Sequence, residues 1–485
     1  MNIRDKLLEI VGSDYFFDDT ETLKKYSKDF SLVPSGMPNF VVKPKNNQEV
    51  SRIIKLANEK MIPVIPVSSH VHFYGATIPK QGGIVLDLTR MDQVLDIDED
   101  NRRVRIEAGV TWKKLTEELA KKGFRMIMPL LPHSKRSVVT DYLEREVPTN
   151  TVYDYGEPLQ SMEVVWPTGE IFRTGSASVN GYPDSISRGA NPSGPGIDFY
   201  RFIQGAQGTM GVVTWANLKI ESIPRKDKVF FAPVYDLSYV IEFLYRVLPR
   251  RIGQECVLLN NVSFANIITE DFKKEFEKYR DQLPPWTLIL VISGLLRRPD
   301  EKIAYEEKAL SEIIKNEFKD ISLVDNLPGF PGIGKRVISL LRKPWPEEET
   351  YWKNRWKGGC HSLFFITRPV LAPKFIKEVE EVSSRFDYSI KDIGIYLQPI
   401  EHNRACHLEF HFFYDPNNNA DVKKISNLYN EAAKVLLNEG AFFTRPYGDL
   451  AKLIYERAAN YTITLKRVKK IFDPNNIMNP GNLCF

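Results

Sequence analysis

Hydrophobic and polar positions repeat with two different periods along this chain, and the switches between them mark its elements. Arg103-Val104-Arg105-Ile106-Glu107-Ala108-Gly109-Val110 alternates with period two, which predicts a strand. Trp112 to Lys122 repeats at helical spacing and stops at Gly123, which predicts an amphipathic helix. Apolar runs at Phe40-Val41-Val42, Met61–Pro66 and Gly82–Leu88 predict short buried strands. Asn47 is placed to cap a helix that runs to about Lys60. Further helices are expected at Asp5–Glu9 and Thr20–Ser27. Ser161–Gly175 reads as two strands joined by a Pro167-Thr168-Gly169 turn. The order through Lys122 is β-α-β-β-β-α.

The texture changes from about residue 226. Strand-like runs such as Trp286–Gly294 and Cys406–Tyr414 alternate with charged helices such as Lys302–Phe318 and Ala420–Leu437. This predicts an antiparallel sheet flanked by helices. Pro328–Pro346, rich in Pro and Gly, is expected to be a long loop over the site. Phe472-Asp473-Pro474-Asn475-Asn476-Ile477-Met478-Asn479-Pro480-Gly481-Asn482-Leu483 closes the chain with two Pro-containing turns. Such a tail has to dock on an element made earlier. The fold class expected is α+β: residues 1–225 as one domain in two halves, 226–445 as a cap, and 446–485 returning to the first domain.

Composition mainly excludes. A length of 485 residues accommodates two or three domains. The net charge of +4 arises from interspersed Lys, Arg, Asp and Glu, which is not the pattern of a nucleic-acid binder. Cys256, Cys360, Cys406 and Cys484 form no CxxC pair, which argues against a zinc ribbon, a disulfide framework or a resident iron–sulfur cluster. Neither a secretory signal nor an apolar run of membrane-spanning length is visible, so a cytoplasmic protein is expected.

The tail resembles the C-terminal signature of FAD-linked oxidases and dehydrogenases of the vanillyl-alcohol oxidase / p-cresol methylhydroxylase superfamily, with Asn482 where Lys or Arg is usual. The element order around Pro44-Lys45-Asn46-Asn47-Gln48-Glu49-Val50 and Gly109-Val110-Thr111-Trp112 resembles the flavin domain of that family over about 180 residues. The resemblance implies a two-subdomain FAD-binding domain of the p-cresol methylhydroxylase type and three loops that cradle FAD. The first is Pro66-Val67-Ser68-Ser69-His70-Val71-His72, where the usual Gly triplet is replaced. The second includes Pro132, Ser134, Thr140 and Asp141, with Asp141-Tyr142 in place of the family's Gly pair. The third, around Gly208, Gly211 and Val212, is well kept, and Asn479 of the tail packs beside the flavin. A covalent flavin is not expected by default. His361, in Gly359-Cys360-His361-Ser362, lies in a segment that resembles the family's covalent-histidine segment with one residue of offset, and His70 lies one position from where other members attach FAD.

The resemblance also implies catalytic residues. An acidic residue near flavin N5 falls on Asp154, or on Glu157 if the segment is three residues shorter. A pair of tyrosines and an arginine would hold a phenolate. Tyr74 matches the first tyrosine and Arg445 the arginine, whereas Phe443 lacks the hydroxyl of the second. Arg445 suits an anionic substrate because its planar fork pairs with phenolate or carboxylate. His407, Glu409 and His411 alternate on one strand face and are weak metal candidates, with His407 also a catalytic candidate. No metal is expected, because the Glu of the hydroxy-acid dehydrogenases' Gly-Glu-His-Gly motif is replaced around Arg445.

The function expected is FAD-dependent dehydrogenation of a small anionic organic substrate by hydride transfer to flavin N5. A 4-hydroxybenzyl alcohol or 4-alkylphenol is the first reading. A 2-hydroxy acid of the lactate or glycolate type and a redox-silent or electron-relay subunit are the alternatives. Electrons pass to oxygen or to an acceptor protein, and a homo-oligomer stays open.

Overall fold

The computed structural model describes residues 2–151, 158–179 and 191–485. The described residues form three larger sheets and a two-stranded ribbon. The first sheet runs Phe16–Phe17, Phe40–Val42, Ile84–Asp87, Val64–Val67. Its last three strands are parallel. Helix Asn47–Lys60 makes the crossover between Phe40–Val42 and Val64–Val67 and buries Val50, Ile53, Ile54 and Ala57 at helical spacing. Its N-cap is Asn46, not Asn47. Asn46 is extended and its side chain accepts from the Glu49 N–H, while Asn47 is already helical.

The second sheet is antiparallel and runs Val94–Asp98, Arg103–Glu107, Val212–Lys219, Leu159–Val165, Ile171–Arg173. The alternation read at Arg103–Val110 shows in its register: Val104 and Ile106 are fully buried and join the core with Trp112, Leu115 and Leu119.

The third sheet has six antiparallel strands in the order Lys226–Val234, Trp286–Gly294, Glu255–Asn260, Ile393–Ile400, Ala405–Tyr414, Gly359–Thr367. Both of its faces carry apolar residues, because each strand sends alternate residues to opposite sides. Phe230, Leu258 and Leu290 meet helices Leu237–Val247, Pro299–Glu317, Ala372–Arg385 and Asn419–Asn438. Phe231, Leu259 and Val291 face the other way, toward Leu130 and Leu131 of the N-terminal half. Pro328–Pro346 is not simply a loop. Ile333–Leu341 is a helix that buries Ile333, Val337 and Leu341 against this second face. Its apolar spacing outweighs the flanking Pro and Gly.

Helices Gly448–Arg457 and Ala459–Phe472 lead back to the first sheet. The Val64 N–H donates to Ile477 O and the Asn479 N–H to Val64 O, so the tail runs along that strand. Buried Lys469 donates to Thr209 O, Asp473 and Met478 O, which fixes the tail beneath the third loop. No helix among the described residues is long and apolar enough to cross a membrane.

Candidate active site

Three loops meet at a cleft lined by Pro66, Val67, Ser68, His72, Thr140, Gly208 and Gly211, among others. These are seven of the residues the sequence assigns to cofactor binding. Ser68 and Thr140 touch through their hydroxyls across it. Gly208 has φ +72°, and a Cβ there would lie 2.6 Å from Pro66 Cγ, so the two loops approach as only glycine allows. Asn479 spans the next layer, donating to Ala76 O and Gln207 O. Val212 is core, paired with Val165.

The remaining first-loop residues turn elsewhere. Ser69 is buried and its carbonyl contacts His72 Nε2 at 2.7 Å. His70 is exposed at the edge of Tyr26. Val71 offers its carbonyl to Arg136. Ser134 is buried but faces a different cavity, near Trp345. Pro132 accepts from the Trp345 N–H and borders the neighbouring charged cavity.

The residues of the cleft fit a dinucleotide. They offer two hydroxyls, loop backbone and the buried His72 Nδ1, which has no partner among the described residues. Burial pushes the His72 imidazole down to about 3, and Arg136 adds to this, so the ring is neutral. The cleft measures about 90 Å³. Ligand sites measure about 300–1,000 Å³, so the cleft has to widen to admit a dinucleotide.

Beyond Thr140 the chemistry changes from hydroxyl to charge. A second cavity, about 40 Å³, lies between the loops and the six-stranded sheet. Phe73, Tyr74, Tyr351, Trp352 and Tyr396 supply rings, and Arg136, Asp141, Glu146, Lys353, His407 and Glu409 supply polar groups. Arg136 bridges Asp141 and Glu144 and donates to Val71 O at 3.0 Å. Burial pushes the Glu144 carboxyl up to about 7 against the pull of Arg136. Arg445 pairs with Glu146 at 2.8 Å, and the Tyr74 hydroxyl donates to the same Glu146 oxygen at 2.8 Å. Burial opposes the Glu146 charge, but Arg445 and Arg136 hold its carboxyl below the usual range. The Tyr74 ring stacks on Tyr447 at 4.7 Å.

On the sheet, His407, Glu409 and His411 do share one environment, centred on Glu409. His407 Nε2 lies 3.0 Å from one carboxylate oxygen and His411 Nε2 3.1 Å from the other. Lys353 Nζ lies 2.6 Å from Glu409. Burial opposes the charge on Glu409, yet Lys353 and the histidines hold it well below the carboxylate range. Burial depresses both histidines, which stay neutral. The positive charge a metal would bring is thus already supplied by Lys353.

His361 stands on the Gly359–Thr367 strand against Tyr429, in a cavity on another side of Tyr74. Phe443 is buried against Phe365 in the hydrophobic core. The second tyrosine beside Tyr74 is Tyr447. Asp154 and Glu157 lie outside the described residues. Arg136, Glu144, Glu146, Lys353 and Tyr447 were not foreseen. The one available signal was the dense charge of Arg136–Glu146 within an otherwise apolar stretch.

Residues 38–175 match the FAD binding domain family, and residues 372–483 match the FAD linked oxidases, C-terminal domain family. A glycolate oxidase subunit of Bacillus subtilis is 22% identical over 99% of this chain and 96% of its own length. A mitochondrial D-lactate dehydrogenase [cytochrome] of Arabidopsis thaliana is 24% identical over 92% of this chain and 74% of its own. The solved 4-ethylphenol oxidase from Gulosibacter chungangensis superposes with a TM-score of 0.84 at 19% identity, over 98% of this chain and 95% of that one. The solved p-cresol methylhydroxylase with substrate bound gives 0.83 at 20%, over 99% and 96%. These matches set aside the redox-silent alternative: the chain is an FAD-linked oxidoreductase with the two domains of the FAD-linked oxidases, and it shares the fold of p-cresol methylhydroxylase.

Proposed function

We propose that this oxidoreductase dehydrogenates an aromatic substrate, a 4-alkylphenol or 4-hydroxybenzyl alcohol, at the carbon attached to the ring. The observation that carries this reading is the aromatic wall of the charged cavity, where Phe73 stacks on Tyr351 at 5.3 Å and Tyr74 and Tyr396 complete the enclosure. Offset and edge contacts with such rings favour a flat ring as ligand. Bound FAD supplies the two-electron acceptor. Pro66, Val67, Ser68, His72, Thr140, Gly208 and Gly211 hold it, and Asn479 braces the loops from behind. Tyr74 and Glu146 orient the substrate hydroxyl. The rings exclude water, which strengthens each polar contact.

A 2-hydroxy acid is the second reading. The glycolate and lactate relatives favour it, together with the His407–Glu409–His411 group. The bracketed cytochrome in one relative's name supports a protein electron acceptor. Steady-state rates on 4-ethylphenol, 4-hydroxybenzyl alcohol, D-lactate and glycolate with an artificial acceptor separate the two. Aromatic substrates should exceed the hydroxy acids by at least about tenfold in kcat/KM. The reverse order rejects the reading.

A further inference from the structure

The charged cavity is balanced without any ligand. Of the cations that border it, Arg136 is committed to Asp141, Glu144 and Val71 O, and Lys353 to Glu409 and the Ser362 hydroxyl. His133 is neutral, because burial pushes it down to about 4. Arg445 does not line the cavity. It is 4% exposed and stands behind Glu146, with Phe364 covering its guanidinium at 4.1 Å. An anion entering here meets no unpaired cation among the described residues. It meets the carboxylate of Glu146 instead.

The bonding of Glu146 is one-sided. Tyr74 and Arg445 both contact Oε1. Among the described residues no hydrogen bond or ion pair reaches Oε2, on a residue that borders the cavity. An ionised carboxylate oxygen only accepts, so its complement is an O–H or N–H donor.

Resting on the aromatic reading above, we propose that the substrate binds uncharged, its hydroxyl donating to Glu146 Oε2, and that Glu146 takes this proton during oxidation. For a 4-alkylphenol the balance is simple. The phenolic O–H breaks and its proton goes to Glu146. A C–H of the para-alkyl carbon breaks and leaves as hydride, with its electron pair, to the flavin. The substrate loses two electrons and keeps its net charge, and Glu146 becomes neutral beside Arg445. Arg445 is then a positioning residue that keeps Glu146 ionised before the proton arrives.

Two non-oxidisable probes of matched shape test this on the FAD-loaded protein: 4-tert-butylphenol, neutral at pH 7, and 4-tert-butylbenzoate, an anion. Dissociation constants are read from the perturbed flavin absorbance. The unmutated protein should bind the phenol at least about tenfold more tightly. Glu146→Gln leaves the Arg445 charge without its carboxylate, so the benzoate should gain about 10- to 100-fold while the phenol weakens. Tighter benzoate binding by the unmutated protein, or no gain in Glu146→Gln, overturns the proposal and leaves an aromatic site intact. If neither probe perturbs bound FAD, the aromatic reading falls as well. Should Glu146→Gln not retain FAD, the unmutated pair of constants decides alone.

Discussion

The two cavities along the loop interface are built from opposite materials. Around Ser68, Thr140 and Gly208, recognition rests on hydroxyls, backbone and close approach, with no formal charge on the facing hydroxyls. A few residues on, around Arg136 and Glu146, every cation named above has a carboxylate partner. A site that must hold a dinucleotide of fixed shape relies on backbone position. A site that must manage proton and hydride departure relies on charges fixed in place before the ligand arrives. The contrast predicts that charge deletions will be severe and hydroxyl-side changes graded.

Arg136→Met should show the largest effect, because Asp141 and Glu144 would remain buried without their partner. Breaking such a group costs about 3–5 kcal/mol. Urea unfolding at pH 7 measures it, and a loss below about 1 kcal/mol would mean the contrast is wrong.

Arg445→Ala should lower kcat/KM by about one to two orders of magnitude, since a charge-assisted bond is worth roughly 1.5–3 kcal/mol. Without Arg445 the Glu146 carboxyl rises, so the acid limb of the pH–rate profile should move to higher pH. Arg445→Lys should restore part of both. An unmoved pH profile would reduce Arg445 to a packing role.

On the cofactor side, Gly208→Ala introduces a Cβ at positive φ against Pro66, a strain of about 1–3 kcal/mol. FAD affinity should fall by about tenfold, measured by flavin fluorescence quenching, with the Arg136 network unaltered.

His72→Gln gives the most conditional effect. Burial depresses His72 to about 3, so the folded ring stays neutral while the unfolded chain takes up a proton below about 6.5. Its stabilisation is present above that value and is lost as pH falls toward 3. Between pH 7 and 5 this group alone should remove about 2 kcal/mol at most. The variant should lose correspondingly less over that range, and parallel stability curves would show that His72 is protonated in the fold.

The parts legible in the sequence were those with periodic or strongly local signals. Strands such as Arg103–Glu107 and Trp286–Gly294, the Gly208 loop and the docking of the tail all stand near where patterning placed them. The misses have physical causes. Asn46 and Asn47 are adjacent and chemically equal as caps, and only backbone conformation separates them. Helix Ile333–Leu341 was hidden by Pro and Gly before it and Pro after it. Phe443 carried the expectation of a second aromatic partner, whereas Tyr447, four residues on, reaches Tyr74 across a turn. Glu146 sits in an irregular segment with no period, and its pairing with Arg445, far away in sequence, depends on tertiary contact. The anionic-substrate expectation rested on Arg445 alone and could not include that partner.

If a phenolic substrate held against Glu146 gives up its hydride to bound FAD, 4-ethylphenol should reduce the flavin. Anaerobic mixing of the FAD-loaded protein with excess 4-ethylphenol, with flavin absorbance followed in a stopped-flow instrument, measures this. Complete bleaching, at least about tenfold faster than with D-lactate and slowed at least about tenfold by Glu146→Gln, is the predicted result. Rapid bleaching by D-lactate and none by 4-ethylphenol would contradict it.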